Sequence, residues 1–272
     1  MKWNLFYPGI TALLLVCHGQ SFSRDNEMTR NPVPHSVSPT QNNWFVSLGG
    51  GAQFPDLNSH MKVNNGSGFP HPFDYDRYAI TSDNGGVIAA SAGRRWQNDS
   101  FWFPSYSLSV FWQYFFKTHL RGEITQYSLP EFTNYNYNLD FTSNLLLASG
   151  KINLFRYGIF SPYVNGGIGS SFNDVSNYRE HALAGITPRV SPGFRGSNTS
   201  EFAYNIGAGI EVQFLPQLIF SLGYIYQDLG PVSGGKGVDT WTEQSLNPGS
   251  YRSNEVLVTA TYLFGAEKND IK

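Results

Sequence analysis

Between Glu201 and Phe214 the chain alternates with a period of two. Phe202, Tyr204, Ile206, Ala208, Ile210, Val212 and Phe214 fall on one side, and Ala203, Asn205, Gly207, Gly209, Glu211 and Gln213 on the other. Alternation of this kind predicts a strand. After the turn LPQ, Leu218, Phe220, Leu222, Tyr224 and Tyr226 repeat it in a second strand. The less apolar side is rich in glycine with single Asn, Glu and Gln residues, unlike the Lys/Glu/Thr mixture of a wet surface, and aromatics stand at both ends of the apolar side. Two antiparallel strands about ten residues long with that make-up have the span and girdles of a transmembrane β-hairpin.

The same period predicts six further strands: Trp44 to Phe54, Val87 to Trp96, Ser105 to Lys117, Phe141 to Leu154, Tyr163 to Phe172 and Ser253 to Phe264. In the third of the eight, Tyr106, Leu108, Val110, Trp112, Tyr114 and Phe116 form the strongest lipid-facing row. The connections alternate in length. Pro55 to Asp83, Thr118 to Asp140, Asn173 to Ser200 and Leu229 to Arg252 are long; Gln97 to Pro104, Phe155 to Pro162 and Leu215 to Gln217 are short. Bacterial outer-membrane barrels have long extracellular loops and short periplasmic turns, so this alternation predicts an all-β, eight-stranded antiparallel up-and-down transmembrane barrel with both termini periplasmic. The last strand is expected to pair with the first and remove both edges. Trp44, Phe54, Trp96, Tyr106, Phe202, Phe214, Tyr262 and Phe264 are expected at the membrane interfaces, Trp44 at the inner and Phe54 at the outer.

Composition agrees with a membrane setting. Charged residues make up 14% and aromatics 16%, against roughly 25% charged in soluble domains. There is no run of eighteen apolar residues, which excludes a helical span and leaves a barrel. A net charge of −2 gives no case for nucleic acid. Lys2 followed by the apolar run Leu5 to Val16, with small residues at Gly19, Ser21 and Ser23, predicts a secretory signal over residues 1–23. Cys17, the only cysteine, lies inside it, so the mature chain is expected to lack disulfides, Fe–S clusters and thiol nucleophiles; bulky Val16 opposes a lipoprotein reading. Residues 24–43, with Pro32, Pro34 and Pro39, read as a disordered periplasmic lead, residues 44–264 as the barrel and 265–272 as a periplasmic tail.

The segments PYVNGGIGSSF, EFAYNIGAGIEVQF, SLGYIYQDLG and SNEVLVTATYLF resemble the closing four strands of small eight-stranded outer-membrane barrels of the opacity-protein and OmpW-like group. The resemblance covers the last four strands; the first four match by pattern. It implies a bacterial outer-membrane location, surroundings of lipid and lipopolysaccharide, insertion by the barrel-assembly machinery, and either interaction with host surface molecules or passage of small apolar solutes. Members of these families commonly finish on the terminal aromatic, and the tail Gly265 to Lys272 departs from that.

Parity also sorts the lumen. Arg95, Lys151, Asn153, Glu211 and Gln213 face inward toward the periplasmic end, and Phe115, Leu145, Leu147, Ile225 and Leu257 nearer the outside, with Gln53, Lys117 and Glu255 as exceptions. Eight strands leave room for side chains or one small ligand. The first group is expected to form a plug in which Glu211 pairs with Arg95 or Lys151. The second lines either a filled lumen or an apolar cup, for which the inward glycines Gly49, Gly51, Gly167, Gly169, Gly207 and Gly209 would leave space.

Chemistry is thinly signalled. His60, His71, His119 and His181 lie where a lipid A-modifying enzyme could use them, yet no motif assembles nucleophile, base and oxyanion donors. Asp74 and Asp76 lack a calcium-loop pattern, and Gly166 to Ser171 lies within a strand with no helix after it, so it is not a phosphate loop. No catalytic, cofactor or metal site is expected. Phe69 to Tyr78, Phe132 to Tyr137 and Trp241 mix aromatics with polar residues in the long loops, a composition suited to recognition. The expected work is structural and surface-interactive, adhesin-like, behind a largely plugged lumen; the alternatives are an OmpW-like channel or cup for small apolar molecules and, more remotely, a lipid A-modifying enzyme.

Overall fold

The computed structural model describes residues 41–57, 60–189, 193–238 and 242–265. The predicted signal, lead residues 24–40, tail residues 266–272 and Trp241 lie outside them. The strands in chain order are β1 (Gln41–Asp56), β2 (His60–Asn64), β3 (Tyr75–Ala79), β4 (Thr81–Ser82), β5 (Gly85–Gln97), β6 (Trp102–Thr125), β7 (Thr133–Phe155), β8 (Phe160–Ala182), β9 (Ser197–Leu215), β10 (Leu218–Val232) and β11 (Gly249–Phe264). Eight of them close a ring of antiparallel neighbours, β1-β5-β6-β7-β8-β9-β10-β11. The seam joins β11 to β1 from Trp44↔Phe264 to Asp56↔Arg252, so neither strand has a free edge along that length.

The distribution of side chains is inverted relative to a soluble protein. Leu48, Leu108, Ile168, Ile206 and Leu222 on the outer face are each more than half exposed, whereas Gln53, Gln113, Ser253 and Glu255 on the inner face are fully buried. Water would favour the opposite arrangement by about 25 cal/mol per Å² of apolar surface. The solvent that matches it is hydrocarbon, which also requires every spanning backbone group to pair within the ring. At the short-turn end the outward aromatics group together: Trp96 stacks on Tyr106 at 5.1 Å, Tyr262 meets Phe264 edge-on at 5.0 Å, and the Arg94 guanidinium lies 4.4 Å over Trp44. Toward the other end Phe54 and Phe202 are exposed, and Tyr204 lies 6.5 Å from Tyr226.

Three sequence expectations change. Gln41 to Asn43, read as the end of a disordered lead, belong to β1 and pair with Gln97, Trp96 and Arg95. Thr118 to Asp140, read as a loop, is mostly a projecting hairpin, because β6 and β7 stay paired as far as Thr125↔Thr133. Its inner positions Leu120, Ile124, Tyr135, Tyr137 and Leu139 are buried, while its outer positions are His, Arg, Glu and Asn: the period of two continues, but the outward row is dressed for water. Finally, a β-bulge between Phe115 and Thr118 inserts an extra residue and reverses parity. Lys117 therefore points outward, where it pairs with Asp140 at 2.9 Å, and Thr118 takes the inner position.

The inward glycines also have a different role from making room. A Cβ on Gly51 would collide with the Val256 carbonyl oxygen, and one on Gly209 with that of Leu222 and with the Tyr163 ring. They permit close approach of neighbouring strands as the narrow sheet coils.

Candidate functional site

Strands on opposite sides of the ring place the lower lumen cluster. Arg95 of β5 projects inward next to Ser105 of β6, and Glu211 of β9 comes from across the barrel. The Arg95 Nη2 donates to Glu211 Oε2 at 2.7 Å and Nη1 to Oε1 at 3.3 Å, a forked contact. Lys151 Nζ donates to Glu211 Oε1 at 2.9 Å, and Asn153 Nδ2 to Oε2 at 2.8 Å. Ser105 donates to Asn153 Oδ1 at 2.9 Å, and Lys151 also lies 4.3 Å over the Tyr163 ring. The carboxylate thus receives four donor contacts from three side chains on β5 and β7. Gln213 stands apart: its amide donates to the Pro216 carbonyl oxygen in the β9–β10 turn at 3.1 Å.

Above this cluster, Phe115, Leu145, Leu147, Ile225 and Leu257 are buried in one apolar core together with Phe141, Tyr251, Tyr137, Tyr178 and Phe194. Phe141 stacks on Tyr251 at 4.2 Å. The five apolar residues are packed among other side chains, and Ile225 and Leu257 also border a small cavity of about 60 Å³ that reaches the Glu211 cluster. Within the upper lumen lies a polar layer that parity hinted at only through Glu255 and Gln53. Glu255 accepts from Gln113 at 2.6 Å and from Gln227, and Tyr251 donates to Gln53, which donates to Thr118.

Beyond the membrane band the projecting strands carry a packed cap. Tyr78 of β3 meets Tyr137 of β7 at 5.4 Å and Phe194 at 6.2 Å, and Tyr178 of β8 meets the same two rings at 5.8 and 5.1 Å. Arg189, from the segment after β8, ties it together: its Nε donates to Glu180 at 2.9 Å, its Nη1 to Asp76 at 3.3 Å, and its guanidinium lies 4.4 Å from the Tyr135 ring centroid. Burial opposes the charge on Arg189, but the carboxylates of Glu180 and Asp76 help to hold its pKa above the ordinary value. Burial pushes the phenols of Tyr78, Tyr137 and Tyr178 well above theirs. Asp76 further accepts from Asn65 at 3.1 Å and from the Tyr127 backbone at 3.0 Å.

The loop aromatics split into two sets. Tyr78, Tyr135 and Tyr137, read as recognition residues, are buried in the cap, while Phe69, Phe73 and Phe132 are exposed. Phe69 and Phe132 flank Tyr127, with ring centroids 5.8 and 6.1 Å from it. Tyr127 and Ser128 hold positive φ values of 55° and 58°, unusual for side-chain-bearing residues; Asp76 and the Ser128 hydroxyl bond to the Tyr75 carbonyl, at 2.9 Å, fix them. Arg189 and Glu180 escaped sequence reasoning, since a lone Arg between loop residues carries no period. His119 pairs with Asp140 at 2.7 Å on the outer face, where Lys117 and Asn177 share the same carboxylate. His71 reaches Asp74 at 3.4 Å.

A closed ring of eight antiparallel strands, apolar outside and polar within, with short turns at one end and long connections at the other, defines a transmembrane β-barrel of the bacterial outer membrane. No family model matches the chain, and no curated protein does. Among solved structures it is similar to the outer membrane protein OprG from Pseudomonas aeruginosa, at 13% identity and a TM-score of 0.43 over 82% of this chain and 96% of that one. It is also similar to Neisserial surface protein A, at 13% identity and 0.39 over 80% and 96%, and to Ail, the attachment invasion locus protein of Yersinia pestis, at 12% and 0.33 over 82% and 99%. These overlaps are loose, and what the chain does follows from its own residues.

Proposed function

We propose that this barrel is a non-enzymatic surface-interaction protein of the outer membrane, adhesin-like, whose lumen is a plug and whose partner surface is the cap. The observation that carries this is the contrast between the barrel's lumen and its cap. The lumen holds the Glu211 cluster and the core above it, with a cavity of only about 60 Å³ between them, whereas the packed cap carries the exposed rings of Phe69 and Phe132 on either side of the half-buried Tyr127. A bulky residue held at positive φ is a strained arrangement, and such strain collects where presentation of a side chain matters. Aromatic rings on a rigid support give large contact area at small entropic cost, which suits host surface molecules. The belt below is solvated by outer-membrane lipid and lipopolysaccharide, and insertion passes through the barrel-assembly machinery.

A passage for small apolar solutes is disfavoured by the packing of Phe115, Leu145, Leu147, Ile225 and Leu257. A lipid A-modifying activity is disfavoured because Asp140 is shared by three partners and, among the described residues, no hydroxyl bonds to His119. Adhesion of cells displaying the barrel to host epithelial cells tests the reading. Changing Phe69, Tyr127 and Phe132 together to Ser is expected to lower attachment by about tenfold or more, as loss of a central aromatic cluster does at interfaces, with the heat-resistant barrel unchanged on a gel. Attachment that persists undiminished would refute it.

A further inference from the structure

The short-turn end of the barrel opens into a polar cavity of about 490 Å³, large enough for a small molecule. Two guanidiniums line it. Arg156, in the β7–β8 turn, is half-buried, and among the described residues its side chain has neither an ion pair nor a hydrogen bond. Arg95 uses Nη1 and Nη2 on Glu211, Ser105 and Asn153, but its Nε has no partner although the residue is only 5% exposed. A buried donor left unmade is costly, and two arginines that share a cavity repel.

Charge points the same way. The cavity wall carries two cations, Arg95 and Arg156, and two carboxylates, Glu211 and Asp99; Glu211 is already paired with Arg95 and with Lys151, which lies outside the wall, so of the two carboxylates only Asp99 is left to face Arg156. Burial and then the neighbouring Arg95 pull the Arg156 pKa down, with Asp99 opposing them. Ser161, Gln97 and Gln213 add hydroxyl and amide groups to the wall. We propose that this vestibule is a binding site for a small oxyanion, a carboxylate or a phosphate, held by the Arg156 guanidinium beside Arg95, whose Nε is its one donor left over. A guanidinium offers parallel N–H donors that match either group. The site faces the periplasm by the rule that short turns do, and it is independent of any partner at the cap.

The full mature barrel, refolded in detergent, would be titrated calorimetrically with acetate and with inorganic phosphate at constant ionic strength, alongside Arg156→Gln, Arg94→Gln and a chain ending at Gly265. Arg94 supplies the control because it lies on the outer face over Trp44. Saturable binding that weakens about tenfold or more in Arg156→Gln, equivalent to one charge-assisted hydrogen bond, and persists in Arg94→Gln supports the site. Whichever anion binds more tightly identifies the ligand chemistry. Binding seen only in the shortened chain also supports it and assigns the occupant to carboxylates of the chain's own last residues. Equal binding by Arg156→Gln and wild type, or no binding by either the full or the shortened chain, would overturn it.

Discussion

Replacing Glu211 by Gln is expected to cost about 3–5 kcal/mol of folding stability, the range found when one partner of a buried ion pair is removed. Arg95 is almost fully buried and its Nη atoms depend on the carboxylate; without it, a guanidinium remains in the lumen with neutral partners only. Lys151 suffers less, because it is about one-quarter exposed and lies over Tyr163. A double change of Arg95 and Glu211 to Met removes both charges and is expected to recover most of the loss, since well-packed apolar pairs replace buried ion pairs at little cost. Urea unfolding of the refolded barrel, read by its heat-resistant band, measures both. A Glu211→Gln barrel as stable as wild type would mean that the cluster contributes nothing to holding the plug.

Removing the Arg189 side chain is expected to open the cap while leaving the barrel closed. It would leave Glu180 and Asp76, both nearly buried, without the cation between them. Charge-assisted hydrogen bonds of this kind are worth about 1.5–3 kcal/mol each, so Arg189→Ala is expected to raise proteolysis of the cap steeply at neutral pH without changing the heat-resistant barrel core. The cap also has a pH limit. The phenols of Tyr78, Tyr137 and Tyr178 have folded pKa values raised by burial, so the folded cap favours their protonated form. Their contribution is fully present below the ordinary tyrosine pKa of about 10 and is lost as pH rises above it toward the raised values. Cleavage that begins only above about pH 10 in wild type, and already at neutral pH in Arg189→Ala, is the expected pattern. Equal protection of both proteins at neutral pH would remove Arg189 from the account.

The barrel was legible because membrane strands declare both faces. In Glu201 to Phe214 the outward row is apolar and the inward row small or polar, in Tyr106 to Phe116 the outward row is apolar while the inward row mixes Ser and Gln with Phe111 and Phe115, and alternating connection lengths ordered the strands. The projecting ends were not legible for the same reason: from His119 to Glu123 the outward row becomes polar, so a strand in water resembles a loop when lipid-facing apolar residues are the signal. The bulge before Thr118 has no sequence mark, and one inserted residue was enough to send Lys117 outward. Parity brought Arg95, Lys151, Asn153 and Glu211 to one level of the lumen but could not show that Gln213 turns to Pro216. The cap depends on contacts between residues as distant as Asp76 and Arg189, which no local period encodes.

The central claim is that the lumen is closed by its own side chains and the protein works through its outer surface. Conductance and uptake of small apolar solutes by lipid vesicles containing the refolded mature barrel test it most directly. The account predicts silence in both assays from a protein whose heat-resistant fold is confirmed in the same preparation. Steady conductance, or solute uptake above that of empty vesicles, would contradict it and make the lumen a path.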